Sequence, residues 1–166
     1  MPDKRTMQRA KKDAREGKSP STQAGEFVRE EMEHIRKGKH GARSAKQAIA
    51  IGLSKARRAG VKLPAPKKGT VSEETRRSAA SASRKGRRGD TEVSAKRSHA
   101  ITAVLKREGR AAASKTELAK QARSAARRRG PAARSAAAKK AVRTKGPTAR
   151  SAAARKAART RASHRG

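Results

Sequence analysis

The stretch from Ser19 to Gly60, SPSTQAGEFVREEMEHIRKGKHGARSAKQAIAIGLSKARRAG, decides the fold of this chain. Ser19 can cap a helix whose first position is Pro20, a residue with no N–H to leave unbonded there. Beyond it Ala24, Phe27, Val28, Met32 and Ile35 follow at spacings of three, one, four and three, which places them along one side of a helix. Gly38-Lys39-His40-Gly41 breaks the pattern. Ser44 and Gln47 then stand at the Ser-x-x-Gln spacing, in which each side chain satisfies the other's free backbone N–H. Ala45, Ile49, Leu53 and Ala56 line one face of the helix that follows. Ala48, Gly52 and Ala59 flank that face, so small residues offer a neighbouring helix a close approach before Gly60 ends the run. A connection of about six residues suits two antiparallel helices, an αα-hairpin, with Val61 and Leu63 folding back over it.

Working outward, residues 4–16 read as a polar helix stopped by Gly17. Residues 1–63 hold seven acidic against seventeen basic residues together with most of the large apolar side chains, and form the expected folded module. From Pro64 the chain turns to Pro64-Ala65-Pro66-Lys67-Lys68-Gly69, a stiff basic linker. Thr70 with Glu73 is expected to start a short helix ending near Gly86 to Gly89, which completes a linker zone over 64–89. Over 90–129 further helical segments are expected. Asp90 can cap one on which Val93, Arg97, Ile101 and Leu105 recur every four residues with Val104 alongside. That stripe needs a partner surface, so docking on the first zone, on a second copy, or no stable packing at all is expected.

The tail, 130–166, is repetitive. GPAARSAAAKKAVRTK at 130–145 recurs at 146–161 with twelve of sixteen positions identical. Each unit sets Gly before Pro (Pro131, Pro147) and alanine, the best helix former, inside. Arg134, Lys139, Lys140, Arg143 and Lys145 spread around most of the helix circumference, which leaves no core face. Isolated helices of about fourteen residues are marginal in water, and like charges repel along the rod. The fold class expected is therefore mostly α: a small N-terminal helical hairpin with a long basic C-terminal arm, largely disordered or conditionally helical, that gains helix when phosphates neutralise it.

Charge points to the partner. The 166 residues carry 47 Lys and Arg against 13 Asp and Glu, a formal net charge of +34, and no acidic residue follows Glu117. Such an excess speaks about partners and not about fold. Solubility asks only about 2 to 8 charges of a small domain, so a solvated surface alone does not account for it. Arg123, Arg127, Arg128, Arg129, Arg134, Lys139, Lys140, Arg143, Lys145, Arg150, Arg155, Lys156, Arg159 and Arg161 are the expected nucleic-acid-binding residues, because each can meet a phosphate and release condensed counterions. The chain has no Asn, and the repeats carry no Gln or acid to read base edges, so backbone binding without base preference is expected. The tail lacks aromatic stacking platforms, which favours duplex DNA or structured RNA over single strands.

Other chemistries find little support. There is no cysteine, and His34, His40, His99 and His164 look too scattered along the chain for a metal site. Glu30, Glu31 and Glu33 read as partners of Arg29, Arg36 and Lys37, or of the basic second helix. No Ser or Thr sits in a nucleophile-elbow or phosphate-loop pattern, so neither an enzyme nor a cofactor is expected. No run approaches the roughly 20 apolar residues of a membrane span, and the first ten residues lack the apolar core of a secretory signal. Anionic membrane surfaces rank below nucleic acid because the basic rods lack a Leu, Phe or Trp face to insert.

The segment Lys18 to Gly41, followed by Lys46-Gln-Ala-Ile-Ala-Ile-Gly-Leu-Ser-Lys-Ala-Arg-Arg-Ala-Gly60, resembles a family of small basic bacterial and phage proteins of uncharacterised function, over roughly residues 1–66. The resemblance implies a bacterial or phage setting. The tail is similar in composition to the tails of linker-histone-like proteins and of extended bacterial HU-type proteins, which implies chromosome compaction. Together these readings give the expectation of a sequence-nonspecific, nucleoid-associated DNA-binding protein in the cytoplasm, one that condenses or bridges duplexes and self-associates through the hairpin. An RNA- or ribosome-associated role is the alternative, and an architectural adaptor working through the hairpin is a third.

Overall fold

A computed structural model describes residues 2–89 and 94–164, and its regular structure is helical. In chain order the elements are α1 (Lys4–Arg15), α2 (Pro20–Arg36), α3 (Ala45–Arg58), α4 (Glu73–Arg88), α5 (Ala95–Arg107), a 3-10 turn at Ala111–Ala113, and α6 (Lys115–Ser163). The chain divides into two units, 1–121 and 122–166.

In the first unit the hairpin forms as the spacing predicts, and its ends are set by local chemistry. The Ser19 hydroxyl accepts from the Thr22 N–H with Pro20 at the first helical position, and Gly17 before it takes a left-handed φ of 67°. Ser44 caps α3 by accepting from the Gln47 N–H at 3.2 Å. The Gln47 carboxamide accepts in return from the Arg43 N–H at 2.8 Å, one residue upstream of the partner that a strict reciprocal box would use.

Two apolar clusters use different sides of α2. Ala24 and Phe27 pack with Ala10 of α1 and Ala56 of α3, and Met7, Leu53, Val61 and Leu63 close over them. Met32 and Ile35 pack with Ala42, Ala48, Ala112 and Ala113. Phe27 and Ile35 are fully buried, each worth about 1.5–3 kcal/mol relative to exposure. At the centre of the hairpin α3 presents Gly52 to α2, where a Cβ would stand 2.7 Å from the Val28 Cα. The small residue is what allows the two backbones to meet.

Three features complete this unit. α1 docks on α2, with Arg9 Nε donating to Glu26 Oε2 at 2.6 Å. α4 docks on α3, with Ala79 and Ala82 buried and Gly86 so close to Arg57 that a Cβ would overlap the Arg57 carbonyl oxygen. Its cap is Ser72, whose hydroxyl accepts from the Thr75 N–H at 3.3 Å, instead of the expected Thr70, whose hydroxyl donates to the Lys67 carbonyl. The expected short helix is sixteen residues long and ends at Gly89.

The α5 stripe has a different fate from a docked helix. Ile101 and Val104 are exposed, at 53% and 58%. The last turn of α5 and the residues after it reach the hairpin through the backbone: the Gly41 N–H donates to the Leu105 carbonyl at 2.8 Å and the Ala42 N–H to the Gly109 carbonyl at 3.1 Å. Ser94 caps α5, and the expected roles of Asp90 and Val93 lie outside the described residues.

The second unit corrects the expectation of a largely disordered or conditionally helical arm. Residues 122–163 are helical within α6, which leaves helical dihedrals only at Gly130 (φ 74°, ψ 167°) and Gly146 (φ 68°, ψ 172°). Helix propensity outweighs charge repulsion along the arm. Between Pro131 and Lys145 six of fifteen residues are alanine, and Lys139–Arg143 is the one like-charge pair spaced four apart. Such a pair costs only a few tenths of a kcal/mol and is screened by salt. Each Gly accepts the φ that other residues avoid, and the Pro after it begins a fresh helix where no N–H is required. In the first joint Arg134 Nε donates to the Gly130 carbonyl, and Thr144 and Thr160 hydroxyls donate to carbonyls one turn back.

Candidate nucleic-acid interface

All fourteen expected phosphate-binding residues, from Arg123 to Arg161, lie on α6 and are exposed. The helix gives them fixed starting points. A segment of fifteen residues is roughly 22 Å long and carries five cations between Pro131 and Lys145, where any duplex of the same length presents about thirteen phosphates. The rod therefore offers about one cation for every two to three phosphates along a duplex.

Among the described residues none of the fourteen meets a carboxylate. The ion pair nearest to them in sequence joins Lys120 Nζ to Glu117 Oε1 at 2.7 Å, N-terminal to the whole set. Arg128 donates to the Ser124 hydroxyl and Arg134 to the Gly130 carbonyl, single neutral partners that leave other guanidinium N–H groups for solvent or ligand. No apolar face competes with this surface, since Val142 itself is 44% exposed.

The first unit adds a basic cleft that the sequence pattern does not reveal. Arg57, Lys62, Arg84 and Arg87 line it with Val61, Leu63 and Pro64, between α3, α4 and the strap at 60–65. Arg57 is buried and donates to the Pro64 carbonyl at 3.1 Å while its Nε has no partner, and burial pushes its guanidinium below the ordinary range. The signal that could have found this cleft is the Arg57-Arg58 pair facing Gly86, a glycine that α4 needs for close approach and not for a turn.

The acidic residues of α2 are placed partly as read. Glu31 pairs with Lys55 of α3 at 2.6 Å, the basic second helix. Glu30, however, is buried and accepts from the Asp3 N–H, so neither carboxylate uses Arg36 or Lys37. Two of the four histidines come together: the His34 and His40 rings lie edge to face with centroids 6.2 Å apart.

Residues 4–68 match a family of unknown function (DUF6496), which covers α1 to α3 and the strap that follows. The match agrees with the resemblance seen in the N-terminal segment and reaches neither α4 nor the basic tail, whose likeness to histone tails remains one of composition. No curated protein and no solved structure gave a significant match. Among the described residues no helix is long and apolar enough to cross a membrane.

Proposed function

We propose that the protein binds duplex DNA without sequence preference and condenses or bridges duplexes in the bacterial nucleoid. The observation that carries this reading is the run of exposed cations on α6 with no acidic residue after Glu117. Helices already formed pay less ordering entropy on binding than a coil would, so more of the counterion-release free energy appears as affinity. The first unit, through the cleft lined by Arg57, Lys62, Arg84 and Arg87, carries a basic surface of its own.

A gel-shift series on unrelated duplexes of equal length across a salt gradient tests the reading. With about ten phosphates engaged, affinity falls about 10⁵-fold between 50 and 200 mM salt, equally for every sequence. Tight binding that barely weakens with salt defeats the mechanism. Structured RNA offers the same phosphates, so co-purification from cells with DNase or RNase treatment decides between the two: loss of bound nucleic acid to DNase is the expected result, and loss to RNase alone overturns it.

A further inference from the structure

Three side chains at the end of α2 converge in a way that DNA binding does not use. Glu31 and His34 are three apart on one helix face, and His40 comes from the turn between α2 and α3. Their potential ligand atoms all lie within 4.8 Å of one another. The site is largely enclosed, with side-chain exposures of 0% for Glu31, 13% for His34 and 14% for His40. The turn is held from both sides, by a left-handed Gly38 and by Gly41, whose N–H donates to Leu105.

The hydrogen bonds leave a hole in the middle. His40 Nδ1 is 3.0 Å from the Gly41 carbonyl, which can only accept, so Nδ1 carries the proton. In the neutral ring Nε2 then presents a lone pair to Glu31 Oε1, 3.4 Å away, and two acceptors face each other. Glu31 Oε1 is fully buried and has no hydrogen-bond partner, and His34 Nε2 has none either. Lys55 occupies the other Glu31 oxygen, Oε2, at 2.6 Å. Asp3, Glu30 and Glu31 place three carboxylates here against the one Lys55 ammonium, a local charge of −2 when both rings are neutral.

We propose that Glu31, His34 and His40 bind one divalent cation of the zinc class. A tetrahedral ion with ligands at about 2.0–2.1 Å sets neighbouring ligand atoms roughly 3.3 Å apart, close to the His40–Glu31 separation. Two imidazoles with one carboxylate suit zinc or cobalt and not calcium or magnesium, which want oxygen shells. The Gly41 carbonyl on His40 and the Lys55 ammonium on Glu31 are the outer partners that orient the ligands. The ion cancels the local charge, satisfies the orphaned carboxylate oxygen and ties the turn to α2. A second trio, Asp3, Glu30 and His34, is adjacent, but the exposed Asp3 and the Asp3 N–H already bonded to Glu30 make it the poorer cage.

The test uses the full untagged chain, stripped with a chelator and checked for helix by circular dichroism. Zinc is titrated by calorimetry, and cobalt by visible absorption. One equivalent per chain with the bands of four-coordinate cobalt is expected, and a hundredfold excess of zinc over Kd raises Tm by roughly 5–15 °C. His40→Gln and His34→Gln each weaken binding at least tenfold while remaining helical, whereas the His99→Gln/His164→Gln double variant binds as the parent does. Absence of a stoichiometric site at 100 μM zinc, or binding that is unchanged in His40→Gln, overturns the proposal. Retained helix with no metal uptake equally overturns it. None of these readouts depends on DNA binding.

Discussion

Gly52 of α3 lies directly against Val28 of α2, so close that the smallest side chain would press on backbone: a Cβ would stand 2.7 Å from the Val28 Cα and 3.1 Å from the Phe27 carbonyl oxygen. Neither neighbour is the free end of a side chain that could swing aside. Gly52→Ala therefore forces the two helices apart, at a cost of about 1–3 kcal/mol that exceeds the roughly 1 kcal/mol alanine gains in helix propensity. Gly25, also helical, has open space where a Cβ would be, so Gly25→Ala stabilises by about 0.5–1 kcal/mol. Urea unfolding of the two variants checks the opposite signs.

Lys55 and Glu31 predict a second asymmetry. Lys55→Met leaves a buried carboxylate without its ammonium partner, and the loss expected is about 3–5 kcal/mol. Removing both charges in Lys55→Met/Glu31→Leu restores most of that stability. The comparison is made in the absence of added metal, by denaturant midpoint.

Acid weakens the start of α4. Arg76 donates to both Glu73 oxygens, at 2.8 and 2.6 Å, and this hydrogen-bonded pairing holds the Glu73 carboxyl below its ordinary value of 4.5. Because the folded value is depressed, the contribution is present above that ordinary value and is lost as pH falls through the folded one. Glu16, lowered by Lys18, behaves the same way. Melting temperature measured from pH 6 down to pH 3 should fall, and Glu73→Gln should flatten part of that decline.

Alanine replacement of Arg134, Lys139, Lys140, Arg143 and Lys145 separates charge from helix. The slope of log affinity for duplex DNA against log salt should fall by about 4 to 5, or 0.9 for each lost contact. Helical circular dichroism should stay level or rise, since alanine is the better helix former. A drop in affinity with an unchanged slope would point to a role for these residues other than phosphate contact.

The hairpin was legible because its information sits in large side chains at helical spacing, Phe27, Met32, Ile35, Ile49 and Leu53, with Ser19 and Ser44 marking the starts. What remained hidden is carried by small residues and by the main chain. Ala79, Ala82 and Gly86 seat α4 on α3 with no large apolar residue to announce it, and Gly41 and Ala42 hold residues 105–109 by backbone hydrogen bonds that no pattern of side chains encodes. The arm departs from its expected disorder because the summed helix propensity of its alanines outweighs the repulsion between its exposed charges. The histidine pair is not legible as a pair because a turn brings His40 back to His34, and the Glu31-x-x-His34 spacing is the only local signal of it.

The breaks at Gly130 and Gly146 set a length scale. Between them the chain can run straight for roughly 22 Å, about two thirds of the 34 Å in which a duplex completes one revolution. A single uninterrupted spike would touch such a winding ribbon of charge at one place and depart along a tangent. Articulated at two knuckles, the same residues could change heading before such a ribbon curved out of reach, and on the proposed function the spacing of the glycine-proline pairs would measure the curvature the arm can follow.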